Sequence, residues 1–306
     1  MQTYQHTLKK SVSCTGVGLH SGKRINLKLR AAEPDTGIVF KRTDLPLSPF
    51  IPGDVYNVVD TSLCTTIGKD GVTVSTVEHL LSALAGLGVD NALIEVDGPE
   101  VPIMDGSSAP FIFIINNVGL TSQTKTRQFY VAQQEISITE GDKIVKIKPS
   151  DRLRIDFSIE FNHPAIRKQK ITHVFTYKNY ADEISRARTF GFLADMRKLY
   201  EAGLALGGSL ENAVVLDDYN VLNKEGLRFK DEFVRHKILD FIGDLALVGH
   251  SIQAHFIVHK SGHDLNNRLF RKFLSDPQAW RLATAGQVSQ SSTQKQFTVP
   301  AKAAVA

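Results

Sequence analysis

His236-Lys237-Ile238-Leu239-Asp240-Phe241-Ile242-Gly243-Asp244 carries two messages at once. Ile238, Leu239, Phe241, Ile242 and the following Leu245 recur at helical spacing and predict a helix over about 231–249. His236, Asp240 and Asp244 fall at i, i+4 and i+8, drifting only about 80° around that helix, so three polar side chains share one face. Around the helix, alternating strands are expected over 128–160, a Gly-rich region near 203–208, a strand at 251–260 and another helix from about Leu265.

The first half has the same order. A strand at 3–9 leads into a Gly-rich turn region at 15–22, and Arg24-Ile25-Asn26-Leu27-Lys28-Leu29-Arg30 alternates as a strand with one buried face. A helix is expected over 75–86, where Val77, Leu80, Leu81 and Leu84 form a stripe, Ser75 with Glu78 makes a capping box, and Gly86 and Gly88 end it. The chain turns polar at 121–127, which marks a boundary between residues 1–125 and 126–283. Two similar strand-then-helix halves give an α+β fold in two domains, with no residue-level repeat visible. From about Thr284 the periodicity is lost, and 284–306 reads as a mobile tail.

Composition narrows the function. With 42% hydrophobic and 22% charged residues in 306, the chain is globular rather than fibrous or disordered. The longest apolar run, 80–89, is broken by Ser82, Gly86 and Gly88, far short of a membrane span. The N-terminus lacks the basic and apolar blocks of a signal peptide, so a cytoplasmic protein is expected. Cys14 and Cys64 are too few for a disulfide scaffold and read as reduced thiols. The net charge of +4 comes without a basic run or nucleic-acid motif, which favours a small anionic substrate over a nucleic acid. Residues 16–23 resemble a phosphate loop only superficially: Val17 stands where Gly is needed, and Lys23 is followed by Arg24.

At 100° per residue His79 points nearly opposite the apolar stripe of its helix, with Glu78 to one side. Alone, the pair is equally a capping residue beside a solvated histidine. His236 and Asp240, one helical turn apart, suit a zinc ion as paired helical ligands do, or are simply an i, i+4 pair worth about 0.2–0.5 kcal/mol. Together, His79, His236 and Asp240 make three ligands, the count of a catalytic zinc site with a position left for water, and Glu78 is then placed to take a proton from that water. His263, in Ser261-Gly262-His263-Asp264, reads alone as a loop residue. Beside such a centre, and held protonated by a carboxylate such as Asp244, it would stabilise an oxyanion and protonate a leaving amine.

These stretches, with Thr76-Val77-Glu78-His79-Leu80-Leu81-Ser82-Ala83, Met104-Asp105-Gly106-Ser107 and Ser185-Arg186-Ala187-Arg188-Thr189-Phe190-Gly191-Phe192, resemble the UDP-3-O-acyl-N-acetylglucosamine deacetylases over about residues 5–282. The family comprises zinc amidases that perform the committed step of lipid A synthesis in Gram-negative bacteria. The resemblance implies His79, His236 and Asp240 as ligands of Zn2+, with Fe2+ an alternative ion, Glu78 as general base, His263 as general acid and Asp244 as its orienting carboxylate. It implies Thr189 beside the oxyanion, Lys237 near the diphosphate or sugar, and Phe190 and Phe192 flanking the glucosamine. A β-α-β insert at about 190–215 would form a passage for the acyl chain, with Met196, Ala205, Gly208 and Val215 aligned along it. The implied fold is a β-α-α-β sandwich of two α+β domains, expected as a monomer. Asp264 stands where relatives have Ala and is expected to cap the next helix. The Ala-rich end at 301–306 resembles tails read by regulatory proteases. The rival reading is a non-catalytic zinc or nucleotide-sugar binding protein, for which a fourth protein ligand would be expected. An amidase acting on a different acylated sugar would keep the chemistry and change the substrate.

Overall fold

Alternation sets the strands of the first half: in 24–30, Ile25, Leu27 and Leu29 are buried and the residues between them exposed. The computed structural model describes residues 2–288 and shows an α+β fold. Its first half contains β1 (Tyr4–Leu8), β2 (Val12–Val17), β3 (Arg24–Ala31), β4 (Ile38–Arg42), β5 (Phe50–Pro52), β6 (Val58–Asp60), β7 (Thr66–Lys69) and β8 (Val72–Val74). Then come α1 (Glu78–Leu87), β9 (Ala92–Val96), α2 (Ala109–Val118) and β10 (Leu120–Thr126). One sheet runs β2-β3-β9-β4-β5, and β6-β7-β8 form a small meander. The polar stretch at 121–127 is mostly β10, which pairs antiparallel with β1. Its polarity fits a strand whose side chains are mostly exposed.

The second half opens with β11 (Gln128–Ala132), β12 (Ile136–Glu140), β13 (Lys143–Pro149), β14 (Arg154–Glu160) and β15 (Lys168–Val174). A short α3 (Tyr177–Asn179) leads to the insert: β16 (Phe190–Phe192), α4 (Leu193–Glu201) and β17 (Val214–Leu216). Because β16 and β17 pair in parallel, the insert is the expected β-α-β unit. The chain continues through α5 (Glu232–Ala246), β18 (Ser251–His259), α6 (His263–Ser275) and β19 (Trp280–Thr284). β18 organises the larger sheet, lying between β13 and β14 and pairing at its start with β11. No helix among the described residues is long and apolar enough to cross a membrane.

Three local expectations are corrected. α1 begins at Glu78, not Ser75, because Thr76 adopts a left-handed φ of 56° that interrupts the helix; Val77 is the cap position and the capping box does not form. Asp264 does not cap α6: Gly262 occupies that position, and Asp264 instead pairs with Arg268 at 3.0 Å. The tail reading fails at its start, since Thr284 closes a strand paired with β11 and Ala285 and Val288 pack with Phe129 and Ala283. The rest of that stretch, including 301–306, lies outside the described residues.

α1 and α5 pack directly on each other, and Leu80, Leu84, Leu239 and Ile242 belong to one continuous core built from both halves. They approach closely at Gly243, where a Cβ would sit 2.7 Å from the carbonyl carbon of Glu78. Only glycine lets the two backbones meet there. The contact brings the start of α1, with Glu78 and His79, against the middle of α5.

Candidate metal centre

His79 and His236 face each other edge-on with ring centroids 5.0 Å apart. Nε2 of His236 lies 3.2 Å, and Nε2 of His79 3.5 Å, from the same Oδ1 of Asp240. The three donor atoms lie within 4.8 Å of one another, the one such cluster among the described residues. His79 does turn away from its own apolar stripe, but α5 covers that side, so both histidines and Asp240 are buried and the solvated-histidine reading is overturned.

The electrostatics suit a divalent cation. Burial lowers the His236 pKa to about 3 against the pull of Asp240, so the ring is neutral. Its Nδ1 donates to the Ala187 carbonyl at 3.1 Å, which fixes the tautomer and turns the Nε2 lone pair toward Asp240. Burial opposes the charge on Asp240, yet its pKa lies well below the ordinary range, with the Lys237 ammonium 2.9 Å from Oδ2. Nδ1 of His79 is buried without a hydrogen-bond partner among the described residues. Two buried imidazoles and a buried carboxylate converging on one point, one imidazole held neutral and the carboxylate ionised, fit a zinc-like ion.

Proton-transfer groups stand beside the cluster. Glu78 is 4% exposed, and burial raises its pKa despite nearby histidines. One of its oxygens, Oε2, accepts the Thr65 backbone amide at 3.1 Å, while Oε1 lies 3.9 Å from Nε2 of His263. Burial alone would lower the His263 pKa, but Asp244, 2.9 Å from Nδ1, and Glu78 reverse this and raise it to about 9. The pairing of Asp244 with His263 is therefore present, although His263 begins a helix rather than sitting in a loop. Asp244 also accepts the Asn266 amide at 2.8 Å and the Thr65 hydroxyl at 2.6 Å.

A cavity of about 480 Å³ opens over these groups. Glu78, His79, His236, Lys237, Asp240 and His263 line one end, while Met196, Ala205, Gly208 and Val215 line an apolar extension formed by the insert. Thr189 and Phe190 also line it, Phe190 edge-on to His236. A family model described as UDP-3-O-acyl N-acetylglycosamine deacetylase matches residues 5–275. The chain belongs to this family. It is 53% identical over 283 residues to the UDP-3-O-acyl-N-acetylglucosamine deacetylase of Mannheimia succiniciproducens, covering 92% of this chain and 93% of that one. The relative of the same name from Myxococcus xanthus is 52% identical over 281 residues, covering 92% and 90%.

Against the expectations for a deacetylase of this family, one placement differs. Phe192 does not line the main cavity; it faces a neighbouring cleft with Phe161 and His163. Lys237 lines the cavity but its ammonium is engaged by Asp240 and lies 5.7 Å from the Phe190 ring centre. Other residues escaped sequence reasoning. Cys64 lines the cavity with its thiol pushed up to about 12 by burial and by Glu78, consistent with a reduced thiol. Glu100 accepts from the His20 and Ser21 backbone amides, holding a turn whose Leu19 and His20 carbonyls bond the insert at Gly207 and Leu206. Nothing in their local sequence marks either residue.

Proposed function

We propose that this chain hydrolyses the N-acetyl group of UDP-3-O-acyl-N-acetylglucosamine, giving the free amine and acetate, the committed step of lipid A biosynthesis. The observation that carries the reading is a raised-pKa carboxyl and a protonated histidine 3.9 Å apart, facing the cavity that holds the three-donor cluster. A closed structural zinc site, or a protein that merely binds nucleotide sugars, has no use for that pair.

His79, His236 and Asp240 would hold the ion, which we assign as zinc on the strength of two imidazoles and one carboxylate. What such an ion brings when bound is Lewis acidity toward an amide carbonyl and water. Glu78, with Oε2 tied down and Oε1 free, takes the proton of the attacking water through Oε1. His263 keeps a proton on Nε2 for the amide nitrogen as the C–N bond breaks, and Asp244 holds the ring for that transfer. Thr189 and protonated His263 face the developing oxyanion. What supports including Thr189 is that it lines the cavity and that its backbone is held there, its amide donating to the Gly106 carbonyl at 2.8 Å. Phe190 borders the sugar, and Lys237 at the cavity wall meets sugar or diphosphate. The apolar extension past Met196, Ala205, Gly208 and Val215 takes the acyl chain.

Architecturally, we read residues 1–125 and 126–283 as two domains in a β-α-α-β arrangement, with α1 and α5 among the inner layer. The protein is read as a cytoplasmic monomer, with a regulatory protease acting through its C-terminal end. The substrate assignment is tested by comparing acetate release from UDP-N-acetylglucosamine with and without a 3-O-acyl chain. Loss of most activity without the chain is expected; equal turnover would contradict the assignment.

A further inference from the structure

We infer that Thr65 is the positioning residue that sets the geometry between the proton acceptor Glu78 and the proton donor His263. Thr65 is 2% exposed and sits just before β7, in neither of the two helices that carry the metal ligands. Two of its polar groups act on different catalytic partners. The backbone amide donates to Oε2 of Glu78 at 3.1 Å, and the hydroxyl donates to Oδ1 of Asp244 at 2.6 Å. The hydroxyl oxygen also lies 3.1 Å from Nδ1 of His263, so the ring N–H directed at Asp244 passes beside it.

Three consequences follow. Binding Oε2 of Glu78 leaves Oε1 as the oxygen that faces His263. Binding Oδ1 of Asp244, while Asn266 binds Oδ2 at 2.8 Å, fixes the carboxylate plane that His263 reads. Because one residue does both, the Glu78–His263 separation depends on a single backbone unit, not on two independent loops. Serine would preserve both contacts; valine would keep the shape and the amide but remove the hydroxyl.

This inference rests on the proposed deacetylation, and its test separates the two. Thr65→Val and Thr65→Ser are compared with the parent as metal-loaded proteins, with metal content and thermal unfolding measured alongside. For Thr65→Val, kcat is expected to fall roughly 10- to 100-fold at near-constant KM and unchanged metal content, because a misaligned proton donor costs rate rather than binding. Thr65→Ser is expected to restore most of that loss. In an Asp244→Asn background the further effect of Thr65→Val should largely vanish, since the hydroxyl acts through that carboxylate. A readout independent of turnover is the low-field NMR resonance of the His263 Nδ1 proton, expected to shift in Thr65→Val and stay in place in Thr65→Ser. An unshifted resonance with unchanged kcat in Thr65→Val, or full additivity with Asp244→Asn, overturns the inference. A parent protein that releases no acetate, yet shows the resonance shift, refutes the substrate reading while leaving the Thr65 geometry supported.

Discussion

Gly243→Ala tests whether the packing of two helices sets the metal centre. A Cβ at this position would lie 2.7 Å from the carbonyl carbon and 2.9 Å from the Cα of Glu78, and nearer still to the Glu78 oxygen. Ordinary contact begins near 3.4 Å, so α1 and α5 must separate locally by about 1.3 Å to clear the Glu78 oxygen; all the atoms being met are backbone, and no side chain can swing aside. His79 lies on one side of that contact and His236 and Asp240 on the other, while metal–ligand distances tolerate only about 0.2 Å. The expected result is weakened metal retention on dialysis and kcat/KM down roughly 100-fold, with about 1–3 kcal/mol of lost stability from overpacking. Metal content by mass spectrometry, acetate release and denaturant unfolding measure the three effects. A Gly243→Ala protein with full metal content and parental turnover would refute the reasoning that this approach aligns the two sets of ligands.

Other outcomes follow from the same geometry. Glu78→Gln should retain its metal and lose about 10²–10⁴-fold in kcat, because the amide cannot accept the water proton; near-normal acetate release would remove Glu78 from the role of base. The active form needs His263 protonated, and its pKa is raised to about 9, so the rate should fall as pH rises through about 9. Asp244→Asn removes the largest of the charges that hold this pKa up, leaving Glu78 and Asp240 against burial, and the basic limb of the pH–rate profile should move to lower pH; an unmoved limb would show that another group titrates there. Glu232→Gln would leave the Arg188 guanidinium, 2% exposed, without its buried partner, costing about 3–5 kcal/mol in denaturant unfolding; a loss below about 1 kcal/mol would contradict that view of the pair.

The helices and the His236–Asp240 pair were legible because their information is local. The apolar spacing of Val77, Leu80, Leu81 and Leu84 and of Ile238 to Leu245 marks the packed faces, and His236 with Asp240 is a one-turn spacing. What helical spacing could not reveal is what covers a polar face: His79 points away from its own stripe and is nevertheless buried, because α5 supplies a second wall. Glu78 likewise looked like a capping residue, and the left-handed backbone at Thr76 that frees it from capping leaves no clear trace in a threonine. The polar run at 121–127 reads as a boundary because an exposed edge pair carries no apolar face, yet it forms β10. Thr65 was illegible altogether, since its partners lie 13, 179 and 198 residues away and only the assembled fold joins them.

The central claim is that His79, His236 and Asp240 hold one ion on which hydrolysis depends. Acetate release measured while zinc is titrated into chelator-treated protein tests it most directly. Activity should be absent without metal, rise in proportion to added zinc and reach its plateau at one equivalent per chain, with Asp240→Ala failing to respond at that stoichiometry. Full turnover in the metal-free protein, or an unaltered titration in Asp240→Ala, would contradict the account.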